Sequence, residues 1–190
     1  MGVLRLPIFQ EEIKIYHLRI VPPNPIFDDV VGFKKRFEAI LGRQPLSKSK
    51  PHITLALFRM DPQYENQLLK ILNQLSRLKT FKLNIMGFTI FDSSNTLMLK
   101  VSKPQELEQI HSLMKSLWVS ELHRKPSSLK LPQTPHITIS KTNGKKMLHE
   151  SLKVFQHTNY FRPMVVDKLT LVSRYRSGTW DSAHHVELLP

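Results

Sequence analysis

The sequence predicts an α+β protein built from two similar halves that face each other. Each half of the 190-residue chain has the pattern strand, helix, histidine-bearing strand, helix, strand. The tetrapeptide Pro-His-Ile-Thr occurs once in each half, both times at the start of a predicted strand. No low-complexity linker separates the halves. A single domain, residues 1–190, formed by internal duplication and folded as two facing lobes is therefore the economical interpretation.

The first half, approximately residues 1–94, alternates β-rich and helical patterns. Its first strand is rich in β-formers and ends at two prolines, and the next segment has apolar residues at helical spacing. The second helix begins with Asp61 as N-cap and Pro62 at its first position. A basic loop at residues 43–50 precedes the histidine-bearing strand. Strands are predicted at residues 14–21, 52–58 and 81–91, and helices at 27–41 and 61–78.

The second half, approximately residues 95–190, repeats this order. A polar loop with two prolines, residues 122–133, precedes the second histidine-bearing strand. Strands are predicted at residues 96–101, 136–140, 164–174 and 186–189, and helices at 104–121 and 145–156. We expect the halves to be pseudo-symmetric lobes, and we allow for exchange of strands between them.

Charge is the strongest signal in the composition. The chain carries 28 Lys and Arg against 15 Asp and Glu, a net charge of +13. Such a protein attracts polyanions, of which nucleic acid is the first candidate. The alternative is that the excess of lysine only confers solubility.

Several classes of protein are disfavoured. The chain has no cysteine, which excludes disulfides, thiolate nucleophiles and Cys-based zinc sites. No apolar run approaches the roughly 20 residues of a membrane span. No His-Glu-x-x-His pattern and no Gly-rich phosphate loop is present. We expect a cytoplasmic monomer that needs no metal or cofactor and does not bind a membrane.

The two Pro-His-Ile-Thr motifs are the candidate catalytic residues. Alternate residues of a strand share a face, so His52 and Thr54 point to one side while Ile53 points into the core. His136 and Thr138 repeat this arrangement. An approximate twofold axis between the lobes brings two imidazoles and two hydroxyls to opposite walls of one cleft.

Such a cleft suits hydrolysis of a phosphodiester without a metal. One histidine activates the nucleophile and the other protonates the departing oxygen, since imidazole exchanges protons near neutral pH. Threonine hydroxyls can donate hydrogen bonds to the non-bridging oxygens. A lone His-x-Thr is usually structural, but two copies at equivalent places favour catalysis. The sequence does not indicate which histidine is the acid.

With these motifs the chain resembles the 2H phosphoesterase superfamily, which carries two His-x-Thr/Ser motifs in a duplicated α+β fold. The resemblance covers residues 14–188 and is strongest to the bacterial 2′–5′ RNA ligase, or RNA 2′,3′-cyclic phosphodiesterase, branch. It implies antiparallel-rich sheets facing a central cleft, with helices outside. It also implies that His52 and His136 are the acid–base pair, that Thr54 and Thr138 hold the phosphate, and that the ring of a 2′,3′-cyclic phosphate is opened to a 2′-phosphate. Some members join RNA ends through a 2′–5′ bond.

Four further residues are candidates for substrate binding. Lys141 follows the second motif where relatives often have Arg, and it supplies charge without a bidentate fork. Phe58 follows the first motif and either stacks on a base or packs in the core. Near the C-terminus, Arg174 is a candidate phosphate ligand and Trp180 a candidate base-stacking residue. The alternative for this segment is a solvated basic loop with one packed aromatic.

Three functions remain open at this stage. The first is an enzyme that opens 2′,3′-cyclic phosphate RNA ends. The second keeps the chemistry on another ribose phosphodiester, such as 2′–5′ oligoadenylate or a cyclic ADP-ribose phosphate. The third is a non-catalytic module that binds nucleotides or RNA.

Overall fold

A computed structural model describes residues 13–176, 178–180 and 182–190, so the start of the predicted first half, residues 1–12, lies outside it. The described residues form four α-helices and nine strands. The helices are α1 (Ile26–Leu41), α2 (Glu65–Leu72), α3 (Gln105–Ser120) and α4 (Lys145–Phe155). The strands are β1 (Lys14–Ile20), β2 (Ile53–Met60), β3 (Phe81–Phe91), β4 (Thr96–Val101), β5 (Ser127–Lys130), β6 (His136–Lys141), β7 (Phe161–Val166), β8 (Lys168–Tyr175) and β9 (Ser182–Glu187).

The strands form one antiparallel sheet with the order β7-β3-β4-β6-β2-β1-β8-β9, and β5 pairs with β2. The α+β class and the antiparallel arrangement are therefore confirmed. The sheets of the two lobes are not separate, because β2 and β6 pair at Ile53 and Ile137. The two histidine-bearing strands are thus neighbours at the centre of one continuous sheet.

The strand order is symmetric about the β2–β6 pair. Each half of the sheet takes strands from both halves of the chain: β3 lies beside β4, while β8 lies beside β1 and β9 lies beside β8. Each histidine-bearing strand is preceded by a strand and a helix and is followed by a helix. An origin by duplication of two lobes stays a prediction.

The core lies between the sheet and the helices. Ile53 and Ile137 are fully buried, and α3 contacts β2 while α1 contacts β6. The residues on either side of them in the two motifs are only partly buried, because alternate strand residues point to the other face. Packing of the helices on one face therefore leaves the motif side chains on the opposite face. No helix in the described parts of the chain is long and apolar enough to cross a membrane.

Four predicted elements differ from the structure. The predicted helix 61–78 is an α-helix of only eight residues, Glu65–Leu72, with a 3₁₀ turn at each end. Asp61 is an N-cap as predicted, since its side chain accepts from the Gln63 amide, but it caps the first 3₁₀ turn. The predicted strand 164–174 is two strands separated at Asp167, and the last strand begins at Ser182. The predicted loop 122–133 contains β5.

Lys34 of α1 connects the helix layer to both motifs. Its side chain is 4% exposed, and its ammonium donates to the Leu46 carbonyl, the Ser49 hydroxyl and the Ile139 carbonyl. Burial lowers the pKa of Lys34 to about 8, which leaves it mostly charged at neutral pH. Three acceptors match the three N–H bonds of an ammonium. Lys34 therefore fixes the loop that leads to the first motif against the strand of the second.

We expect Lys34→Met to lower the free energy of unfolding by roughly 2 kcal/mol, because it leaves buried carbonyls without their charged donor. Urea denaturation measures this change. Lys35→Met is the matched control on the exposed side of the same helix and should change stability by less than about 0.5 kcal/mol. Equal effects of the two substitutions would show that the Lys34 contacts do not stabilise the fold.

Candidate active site

The register of β2 against β6 brings the two motifs together. Ile53 lies opposite Ile137, and counting outward in antiparallel register places His52 opposite Thr138 and His136 opposite Thr54. Residues opposite each other share a face and lie about 5 Å apart. The structure thus places two imidazoles and two hydroxyls on one patch of the sheet, each histidine beside the threonine of the other motif.

The two histidine rings are held in the same way. Nδ1 of His52 donates to the Lys50 carbonyl at 2.7 Å, and Nδ1 of His136 donates to the Thr134 carbonyl at 2.8 Å. A carbonyl only accepts, so Nδ1 carries the proton in the neutral ring. This leaves Nε2 as the atom of each ring that takes up and releases a proton.

His52 is held in its neutral form. Burial, together with the positive charges of Arg19, Lys34 and His136, lowers the pKa of His52 to about 4, against the opposing effect of the Lys50 carbonyl. A neutral imidazole with Nε2 free is a proton acceptor. The electrostatics therefore suit His52 to the role of general base.

A third histidine, which the sequence analysis missed, completes the first motif. Nε2 of His17 lies 2.9 Å from the Thr54 hydroxyl, and its ring meets His52 edge-on with 4.8 Å between centroids. His17 is 8% exposed, and burial, together with the electrostatic effects of the neighbouring His52 and Arg19, lowers its pKa to about 3. It is neutral at neutral pH. Its only signal in the sequence is the alternation of polar His17 and Arg19 with buried apolar residues along β1.

Arg19 is a second residue that the sequence analysis missed. It lies directly opposite Thr54 in the β1–β2 register. Its Nε is buried and has no hydrogen-bond partner among the described residues, and burial lowers its pKa. Its charge acts on both His17 and His52. An unpaired donor beside the two histidines is suited to an anion in the cleft.

The second motif has different neighbours. Met98 lies opposite Thr138, in the position that Arg19 occupies beside the first motif. Lys141 is exposed on β6 opposite Thr96, with its backbone amide bonded to the Pro45 carbonyl. Lys100, which the sequence analysis did not single out, is also exposed and lies opposite His136 in the β4–β6 register.

Phe58 does not line the cleft with its ring. It is 1% exposed and packs in the core, stacked on Tyr16 at 5.3 Å and edge-on to Trp118 at 5.7 Å between centroids. Because a β-bulge lies between it and the motif, its ring points to the helix side of the sheet. No ring face is left for a base, and we withdraw Phe58 from the predicted substrate-binding residues.

Trp180 and Arg174 lie beside the first motif. The Trp180 ring is 5.7 Å from the His17 ring, and the Arg174 guanidinium lies 4.9 Å from the Trp180 centroid. Nη1 of Arg174 donates to the carbonyls of Gly178 and Arg176. Arg174 therefore holds the loop that carries Trp180, and it is less free to grip a phosphate than the sequence suggested.

Among residues 13–176, 178–180 and 182–190, no group of three or more His, Asp, Glu or Cys side chains is arranged to hold a metal ion.

Comparisons with known proteins agree with this architecture. The E. coli LigT structure complexed with 3′-AMP shares 16% identity over 92% of this chain and 95% of that chain, with a TM-score of 0.57. TT0787 of Thermus thermophilus shares 17% over 92% of this chain and 94% of that chain, with a TM-score of 0.60. These likenesses show the fold. No curated protein sequence gives a significant match. The family model of the 2′-5′ RNA ligase superfamily matches residues 22–178, which confirms the resemblance read from the motifs: the chain belongs to the 2′-5′ RNA ligase superfamily.

Proposed function

We propose that this protein is a metal-independent phosphoesterase that opens 2′,3′-cyclic phosphate ends of RNA to 2′-phosphates. The observation that carries the proposal is the placement of two identically held histidines on adjacent antiparallel strands, each beside a threonine. Membership of the superfamily and the net charge of +13 support it.

The geometry supports a reaction in which His52 is the base and His136 the acid. Nε2 of His52 accepts a proton from water while the water oxygen forms a bond to phosphorus. The bond from phosphorus to the ribose 3′-oxygen breaks, and Nε2 of His136 donates the proton that this oxygen needs. Proton exchange with solvent returns both rings to their starting forms. Histidines on opposite sides of the phosphorus suit this in-line displacement.

Thr54 and Thr138 donate hydrogen bonds to the non-bridging oxygens, which gain negative charge in the transition state. Arg19 lies opposite Thr54 and stabilises the same charge. If an RNA 5′-hydroxyl replaces water as the nucleophile of ring opening, its oxygen bonds to phosphorus as the bond to the 3′-oxygen breaks, and the same groups join two ends through a 2′–5′ bond.

His17 is a positioning residue for Thr54. Thr54 can donate to the phosphate only if its proton is not given to His17, so the neutral His17 ring must carry its proton on Nε2 and donate to the Thr54 oxygen. His17 thereby turns the Thr54 hydroxyl toward the cleft. The second motif has Thr96, and not a histidine, in the corresponding position of the register.

Catalysis by the two histidines is tested on a nucleotide that ends in a 2′,3′-cyclic phosphate. We expect ring opening in EDTA, and we expect His52→Ala and His136→Ala each to lower kcat by a factor of about 100 or more. His149→Ala, which removes an exposed histidine from α4, is the control and should retain the activity. Undiminished turnover by the His52→Ala, His136→Ala double variant would reject the mechanism, and tight RNA binding without any turnover would favour the non-catalytic alternative.

The His17–Thr54 pair is tested by a double-mutant cycle. We expect Thr54→Val to lower kcat by roughly 10- to 100-fold and His17→Phe by about tenfold, because each removes or misdirects one donor to the phosphate. If His17 acts through Thr54, His17→Phe has no further effect in the Thr54→Val background. His17→Gln retains an N–H donor and should recover part of the rate. Fully additive losses would assign His17 a role independent of Thr54.

Burial and, to a smaller extent, the charge of Arg19 are expected to hold the acid limb of the pH–rate profile at low pH. His52 must be neutral to act as base, so kcat/KM falls as the pH drops through the pKa of His52, near 4. The Arg19→Gln variant removes one positive charge near the His52 ring and leaves its other neighbours, His17, Lys34 and His136, in place. The pKa of His52 should therefore rise and the acid limb should move to higher pH. NMR titration of His52 checks the shift directly, and an unchanged pKa would contradict this origin of the low value.

A further inference from the structure

We propose that a basic pocket beside the first motif holds the nucleotide that precedes the reacting one in an RNA strand. This inference rests on the proposed function and adds a binding subsite to the same site.

The pocket is a cavity of about 300 Å³ on the motif-bearing face of the sheet. Ile15 and Leu57 form its apolar floor, and Arg59 and Lys130 stand exposed at its rim. Trp180 closes one side. Of its described lining residues three are basic and none is acidic, so the pocket is complementary to a phosphate chain.

The pocket is continuous with the proposed active site. Leu57 lies opposite His17 in the β1–β2 register, and Ile15 lies opposite Arg59. Ile15 and His17 are two positions apart on β1, a distance of about 7 Å along a strand. One nucleotide of an extended RNA chain spans such a step. A strand whose end reacts between His52 and His136 can therefore place its preceding nucleotide here.

Trp180 supplies a surface for the base of that nucleotide. Its ring is 41% exposed, with His17 near it on the side of the active site and Arg174 stacked against it. Aromatic rings accept any base by stacking, which suits an enzyme that reads the end of a chain and not its sequence.

The pocket beside the second motif has a different character. It is a cavity of about 280 Å³ next to His136, with the exposed ring of Phe91 and the side chain of Gln133 among its lining residues. None of its described lining residues is Lys or Arg. This pocket suits an uncharged base. The contrast in charge places the phosphate chain on the side of the first motif.

The test compares a cyclic mononucleotide with a trinucleotide that ends in the same 2′,3′-cyclic phosphate. We expect kcat/KM to be at least about tenfold higher for the trinucleotide, from stacking and phosphate contacts. The Arg59→Gln, Lys130→Gln variant loses the phosphate contacts and keeps Trp180, so it should lower the ratio of the two values several-fold. The Lys70→Gln, Lys153→Gln variant loses the same charge from exposed positions on α2 and α4 and should keep the wild-type ratio. Equal kcat/KM for both substrates in the wild type, or equal loss in both variants, would overturn the proposal.

A binding measurement separates this proposal from the proposed function. Fluorescence anisotropy gives the affinity for a trinucleotide that ends in a 3′-phosphate over a range of salt concentrations. The Arg59→Gln, Lys130→Gln variant should reduce the salt slope by about 1.4, the value for two single-strand phosphate contacts. If neither cyclic substrate is turned over, the proposed function is rejected. A salt slope that falls in the Arg59→Gln, Lys130→Gln variant and not in the Lys70→Gln, Lys153→Gln variant would still establish that the pocket binds the RNA strand. A slope unchanged from wild type would rule the site out.

Discussion

The pairing of β2 with β6 is the constraint on which the rest of the site depends. Ile53 and Ile137 lie opposite each other, buried under the helices, where β2 and β6 join the two halves of the sheet. Because the side-chain period of a strand is two, a slip of one residue would turn His52 and His136 into the core and expose the isoleucines. The free energy of burying two isoleucines therefore holds the histidines on the open face. No element besides the paired strands β2 and β6 is needed to bring the two histidines to the same face of the sheet.

The same local structure in both motifs then fixes the chemistry of the rings. Each proline precedes a histidine whose Nδ1 donates to the carbonyl two residues earlier. Because a backbone carbonyl accepts a hydrogen bond and does not titrate, it keeps the proton of each neutral ring on Nδ1. Both rings present Nε2 for proton transfer, and the difference between them is left to the surrounding charges.

The sequence predicted the parts of the site that depend on local alternation. The apolar Ile between His and Thr determines which way each motif faces, and Asp61 with Pro62 determines where a helical segment starts. The sequence did not predict contacts that depend on which strands pair with each other. His17 and Arg19 are ordinary polar residues of an alternating strand until β1 is known to pair with β2. Phe58 was ambiguous because a bulge, invisible in the pattern, sets the side to which it points. The four-residue β5 was missed because it is polar and forms only against β2.

The departures from symmetry are concentrated on the strands that flank the two motifs. Beside the first motif, β1 contributes His17 and Arg19. Beside the second, β4 contributes Met98 and the exposed Lys100. Two imidazoles with identical surroundings would have equal proton affinities, whereas acid–base catalysis needs one ring neutral and the other protonated in the same state. The two motifs thus share a backbone geometry and differ in their neighbours. Burial and the positive charge of Arg19 favour the neutral form of His52, and in the proposed reaction Arg19 also faces the anion on which that base acts.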